Sequence, residues 1–118
     1  MRTVLLVEDE ARILASLESD FPWKECGIDR VISACDGFEA LRLCEGCFPD
    51  LLVTDLRMPG MTGLELAERM QSSGHPLAVL FISAYSDVSY LREAMKLRAV
   101  DYLVKPIDFA DLRRAVHS

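Results

Sequence analysis

The chain has 118 residues, of which 51% are hydrophobic and 27% charged, with 6 glycines and 5 prolines. That is the composition of one globular domain with a real core; it excludes disordered, collagenous and low-complexity chains and leaves no room for a second folded domain. Thirteen basic against nineteen acidic side chains give a formal charge of -6, which repels a phosphate backbone and excludes direct nucleic-acid binding by this segment.

Met1-Arg2-Thr3 leads into the apolar run Val4 to Val7, which is too short for a secretory signal and stops at once in Glu8-Asp9-Glu10. The spacing predicts a strand over 3–7, then a helix with the stripe Ile13, Leu14, Leu17 and Phe21. A second strand is predicted over 30–34. The following helix opens on Asp36-Gly37-Phe38-Glu39, which has the form of a capping box. A third strand, 51–54, precedes a second capping box, Thr62-Gly63-Leu64-Glu65. A fourth strand is predicted over 77–82, the longest apolar run, and it cannot span a bilayer. Val88, Leu91 and Met95 mark a further helical stripe, 101–104 a fifth strand, and Asp108 the N-cap of a last helix reaching Ser118. We expect a cytoplasmic protein with no membrane segment and reduced thiols at Cys26, Cys35, Cys44 and Cys47. Mostly continuous apolar runs suit strands buried on both faces. Five strand-then-helix units predict a parallel, doubly wound α/β sheet whose ligands bind at the carboxyl ends of the strands.

Those ends carry Glu8 and Asp9, Asp55, Ser83, and Lys105 followed by Pro106. Taken singly, each has an ordinary explanation as a cap, a turn residue or a solvated cation. Together at one sheet edge they point to chemistry. Clustered carboxylates repel unless a cation sits among them, and an all-oxygen set suits a hard divalent ion such as Mg2+, or Mn2+ in its place. Lys105 can neutralise a phosphoryl oxygen and the Ser83 hydroxyl can donate to another. Asp55, on the central strand, is the candidate nucleophile that would carry a phosphoryl group as a mixed anhydride.

Glu8-Asp9-Glu10, then Thr54-Asp55-Leu56-Arg57-Met58-Pro59-Gly60-Met61-Thr62-Gly63, then Ser83-Ala84, then Asp101-Tyr102-Leu103-Val104-Lys105-Pro106 resemble the receiver domain of bacterial two-component response regulators. The match spans residues 1–118 in the right order. The resemblance implies a flavodoxin-like (βα)5 fold with strand order 2-1-3-4-5, and phosphorylation of Asp55 by a sensor histidine kinase. It implies that Asp9, Asp55 and the Arg57 backbone carbonyl ligate Mg2+, with Glu8 acting through water. Ser83 and Lys105 would bind the phosphoryl group, Tyr102 would be the switch aromatic turning inward, and the Lys105–Pro106 peptide would be cis. A self-assisting phosphoacceptor rather than an enzyme is implied.

The sequence departs from the family pattern in places. Glu8 replaces the commoner Asp, Ser83 the more usual threonine, and Arg98-Ala99 stands where glycine is usual. Arg57 occupies a variable position thought to tune phosphoryl lifetime. Phe21-Pro22-Trp23-Lys24-Glu25-Cys26-Gly27-Ile28 and Ala84-Tyr85-Ser86-Asp87-Val88-Ser89-Tyr90 are similar to the subgroup joined to AraC-type helix-turn-helix output domains. The last helix stops without a cap or linker, so a C-terminal DNA-binding output domain controlling transcription is expected outside this chain. Dimerisation on phosphorylation is expected through the fourth helix, fifth strand and fifth helix, with Tyr90, Lys96, Arg98, Asp101 and Arg113 as candidate contacts.

Rival readings are a phosphorylation-independent pseudo-receiver, which would normally have lost an acid or the lysine, and an aspartate-nucleophile phosphohydrolase. The latter wants a second acid where Arg57 stands. Cys44-Glu45-Gly46-Cys47 is a C-x-x-C at a helix end, before Phe48-Pro49, whereas a thioredoxin-type redox pair opens a helix after a strand, and no second pair completes a zinc site. His75 and His117 are expected to face solvent.

Overall fold

Each apolar run forms a strand: β1 (Thr3–Val7), β2 (Arg30–Ala34), β3 (Leu51–Asp55), β4 (Ala78–Ser83) and β5 (Asp101–Val104). In this computed structural model, residues 2–84, 92, 94–96, 99 and 101–117 are described. The helices α1 (Ala11–Ser19), α2 (Gly37–Cys44), α3 (Gly63–Gln71) and α4 (Phe109–His117) alternate with the strands, and a 3-10 turn covers Lys24–Cys26. Arg92 and Ala94–Lys96 are helical as well.

All strand pairings are parallel and the order is β2-β1-β3-β4-β5. This is the flavodoxin-like doubly wound sheet. Strand side chains alternate between two layers, as a period of two requires. Leu5, Val7, Leu52, Val79 and Phe81 pack with Leu66, Ala67 and Met70 of α3 on one face. Val4, Leu6, Val53, Leu80 and Ile82 pack with Leu17 of α1 and Leu112 and Ala115 of α4 on the other. Each fully buried Leu or Ile contributes about 1.5–3 kcal/mol. The central strands β1 and β3 are buried throughout, while β2 and β5, at the edges, are only partly so.

The caps set where each helix starts. Asp36 Oδ1 accepts from the Glu39 N–H at 2.8 Å, while Glu39 reaches past the cap to the Cys35 N–H at 2.7 Å. Thr62 and Glu65 close a reciprocal capping box on α3. Asp108 Oδ1 accepts from the Ala110 N–H at 2.7 Å. Trp23, buried, donates its indole N–H to the Leu17 carbonyl at 2.7 Å and packs on Phe21, with ring centroids 4.5 Å apart. It thereby satisfies a free carbonyl at the end of α1. Among the described residues no helix is long and apolar enough to cross a membrane.

Candidate functional site

The parallel register brings the carboxyl ends of β1, β3, β4 and β5 to one edge. Val7 pairs with Thr54, Asp55 with Ile82 and Ser83 with Val104, so Glu8, Asp55, Ser83 and Lys105 arrive side by side. Ligand oxygens of Glu8, Asp9 and Asp55 lie within 4.8 Å of one another. Asp9 is exposed, whereas Glu8 and Asp55 are buried.

Lys105 is the counter-charge. Its Nζ donates to Asp55 Oδ2 at 2.8 Å and stands 3.0 Å from Glu8 Oε1 and 3.7 Å from Glu10 Oε1. Burial alone would lower the lysine pKa, but the hydrogen bonds and charges of Asp55 and Glu8 outweigh it and raise the value above that of a free lysine. The ammonium therefore stays charged. The Lys105–Pro106 peptide is cis, and the Lys105 N–H donates to the Ser83 carbonyl at 2.8 Å.

Glu8 is pushed up to about 7, chiefly by burial. The Glu10 N–H, 2.9 Å from Oε2, and Lys105 pull it down, while Asp55 and Asp9 push it up. Its solvent-shielded Oε1 has Lys105 Nζ 3.0 Å away, and that one ammonium is shared with Asp55 Oδ2. Three clustered carboxylates, two of them buried and sharing one ammonium, form the all-oxygen donor set that a hard cation satisfies. The residues thus fit Mg2+.

Two backbone features hold Asp55 in place. Its Oδ1 accepts from the Arg57 N–H at 3.3 Å, and Thr54 Oγ1 donates to its carbonyl at 3.0 Å. Gly63, the first residue of α3, passes directly over it: a Cβ there would lie 2.0 Å from the Asp55 carbonyl oxygen. Its N–H donates to the Leu56 carbonyl at 2.8 Å. Gly63 is part of the sequence motif, but its role in admitting the helix so close to β3 emerges only from this contact.

Ser83 is fully buried, and its hydroxyl lies 3.1 Å from the Ala84 carbonyl and within hydrogen-bond reach of the Tyr102 hydroxyl. With its single proton given to Ala84, Ser83 accepts from Tyr102. The half-buried Tyr102 thus contacts Ser83, the other residue of the expected switch.

The remaining sequence expectations fall elsewhere. Tyr90, Arg98 and the segment 85–90 lie outside the described residues. Asp101 is exposed, and Arg113 pairs with Glu25 of the 3-10 turn at 3.4 Å. All four cysteines are free thiols. His75 is exposed and stacks on Phe48, with centroids 4.4 Å apart.

The sequence profile of the response regulator receiver domain matches residues 4–117. The transcriptional regulatory protein HptR of Staphylococcus aureus (strain NCTC 8325 / PS 47) is 34% identical over 113 residues, covering 95% of this chain and 44% of that protein. The chain thus spans less than half the length of this curated relative. A two component transcriptional regulator AraC from Clostridium phytofermentans ISDg superimposes with a TM-score of 0.86 at 34% identity, over 98% of this chain and 89% of that one. The response regulator protein TrrA from Thermotoga maritima, solved in complex with Mg(2+)-BeF, does so with a TM-score of 0.80 at 30% identity, over 98% and 96%.

Proposed function

This chain belongs to the response regulator receiver domain family, and from that premise we propose that Asp55 accepts a phosphoryl group from a sensor histidine kinase. One observation carries the proposal: Lys105 Nζ, 2.8 Å from Asp55 Oδ2, is shared with the acidic cluster of Glu8, Asp9 and Asp55. This is a candidate nucleophile paired with a counter-charge beside a candidate cation site.

Asp9, Asp55 and the Arg57 carbonyl would hold the Mg2+, with Glu8 behind them through water. When bound, the ion supplies charge neutralisation between an anionic nucleophile and an anionic donor. Asp55 attacks phosphorus in line, the bond to the histidine nitrogen breaks, and that nitrogen leaves with the electron pair. Lys105 exchanges its Asp55 oxygen for a phosphoryl oxygen, which keeps the new charge paired. Ser83 turns its proton from the Ala84 carbonyl to another phosphoryl oxygen. The Tyr102 hydroxyl, already on Ser83, then reports the change at β5.

The output is a C-terminal domain, absent from this chain and of the AraC-type DNA-binding class; the similarity to the Clostridium phytofermentans regulator and the partial coverage of HptR support this. Exposed Met95 and Val104 give the face around β5 apolar area for a phosphorylation-dependent homodimer.

Acetyl phosphate with Mg2+ tests the acceptor. The expected result is one added phosphate by intact mass, absent without a divalent ion and absent in Asp55→Asn. Equal uptake in Asp55→Asn overturns the assignment.

A further inference from the structure

Cys44, the last residue of α2, and Cys47, in the loop leading to β3, form a C-x-x-C that the site above does not use. Both are partly exposed free thiols. Burial, and then the adjacent Cys47, raise Cys44 above the usual thiol value. Between them Glu45 keeps helical angles of φ -61° and ψ -33°. A turn of that spacing holds the Cα atoms within about 7 Å, and disulfides usually span roughly 4.4–6.8 Å. Gly46 has no atom within 4 Å of where a Cβ would stand, so the loop has space to adjust.

The two other thiols are set differently. Cys35 lies among Glu39 and Asp36, whose charges oppose a thiolate, and Cys26 is buried. Cys47 instead has an Arg30 guanidinium N–H donating to its sulfur at 3.5 Å. Among the described residues no third His, Cys, Asp or Glu clusters with the pair, as half a tetrahedral metal site would need.

We infer that Cys44 and Cys47 form a reversible dithiol–disulfide site that exchanges with low-molecular-weight disulfides such as glutathione disulfide. The Cys47 thiolate attacks one sulfur of the external disulfide, forming a mixed disulfide and releasing one thiolate. Cys44 then gives its proton to solvent and attacks Cys47 Sγ; the mixed bond breaks and a second thiolate leaves. Two protein thiols are oxidised and one external disulfide is reduced to two thiols. The bond ties the end of α2 to the segment entering β3, at the sheet edge opposite Asp55.

The test is incubation of the protein with glutathione disulfide, alkylation of remaining thiols and tryptic mapping. The cysteines separate cleanly: the peptide 43–57 holds Cys44 and Cys47, 31–42 holds Cys35 and 25–30 holds Cys26. The expected result is a 43–57 peptide that is unalkylated and about 2 Da lighter than its reduced form, restored by dithiothreitol. In Cys44→Ser, which cannot resolve the first step, Cys47 retains one glutathione. A 43–57 peptide alkylated at both cysteines, or carrying two glutathiones, overturns the inference. Because the readout is thiol mass, the result is independent of whether Asp55 is the phosphoacceptor.

Discussion

β1 and β3 are buried from end to end, whereas β5 begins and ends exposed. Both contribute to the same pocket. The central strands deliver Glu8 and Asp55, whose carboxylates sit in low dielectric and are costly without a partner. The edge strand delivers Tyr102 and leads to Lys105, both only partly buried. The difference teaches a division of labour: the centre stores unfavourable charge at fixed positions, and the edge supplies the groups that respond to it.

The largest expected effect breaks the centre. Gly63→Ala drives a methyl into the Asp55 backbone carbonyl, which cannot yield as a side chain would. Overpacking of this kind costs typically about 1–3 kcal/mol and sometimes more, and we expect the upper end. Urea denaturation measures it; a loss under about 1 kcal/mol would show that α3 can retreat from β3.

A second experiment sharpens the picture of stored charge. Mg2+ binding only the folded state should stabilise the protein by about 2.7 kcal/mol at a hundredfold excess over Kd. Asp9→Asn should remove most of that gain in a thermal melt. Equal gains in both proteins would place the ion elsewhere.

The third experiment concerns protons. Glu8 titrates at about 7 in the folded chain against 4.5 unfolded, so between those values the folded state holds the extra proton. Without divalent ions, stability contributed by this group is therefore greatest below pH 4.5 and falls as the pH rises to about 7. Glu8→Gln should flatten that slope in denaturation curves collected across the range. An unchanged slope would assign the proton to another group.

Much of this arrangement was legible in the residues. The ranges expected for β1, β2 and β5 coincide with the observed ones, and β3 and β4 differ by one residue at their ends. Continuous apolar runs bounded by charge leave few alternatives for a buried parallel strand. The acids and the lysine were found by reading strand ends, because parallel topology carries those positions to one edge. Two features were not legible. That Gly63 must lack a side chain depends on how closely α3 crosses β3, a distance that no local pattern encodes. That the Tyr102 hydroxyl reaches Ser83 depends on how β5 pairs with β4, which is a tertiary fact.

The division between centre and edge is tested most directly by amide NMR of the wild type and Ser83→Ala, each with and without beryllofluoride and Mg2+. Both proteins should bind the phosphoryl mimic, seen as shifts at Asp55, Leu56 and Arg57. In the wild type the shifts should extend through Ser83 and Ala84 to Tyr102 and Leu103 on β5. In Ser83→Ala those β5 shifts should fall to less than half while the Asp55 shifts persist. Identical β5 shifts in the two proteins would contradict the account, because the edge would then be responding without the hydroxyl that joins it to the centre.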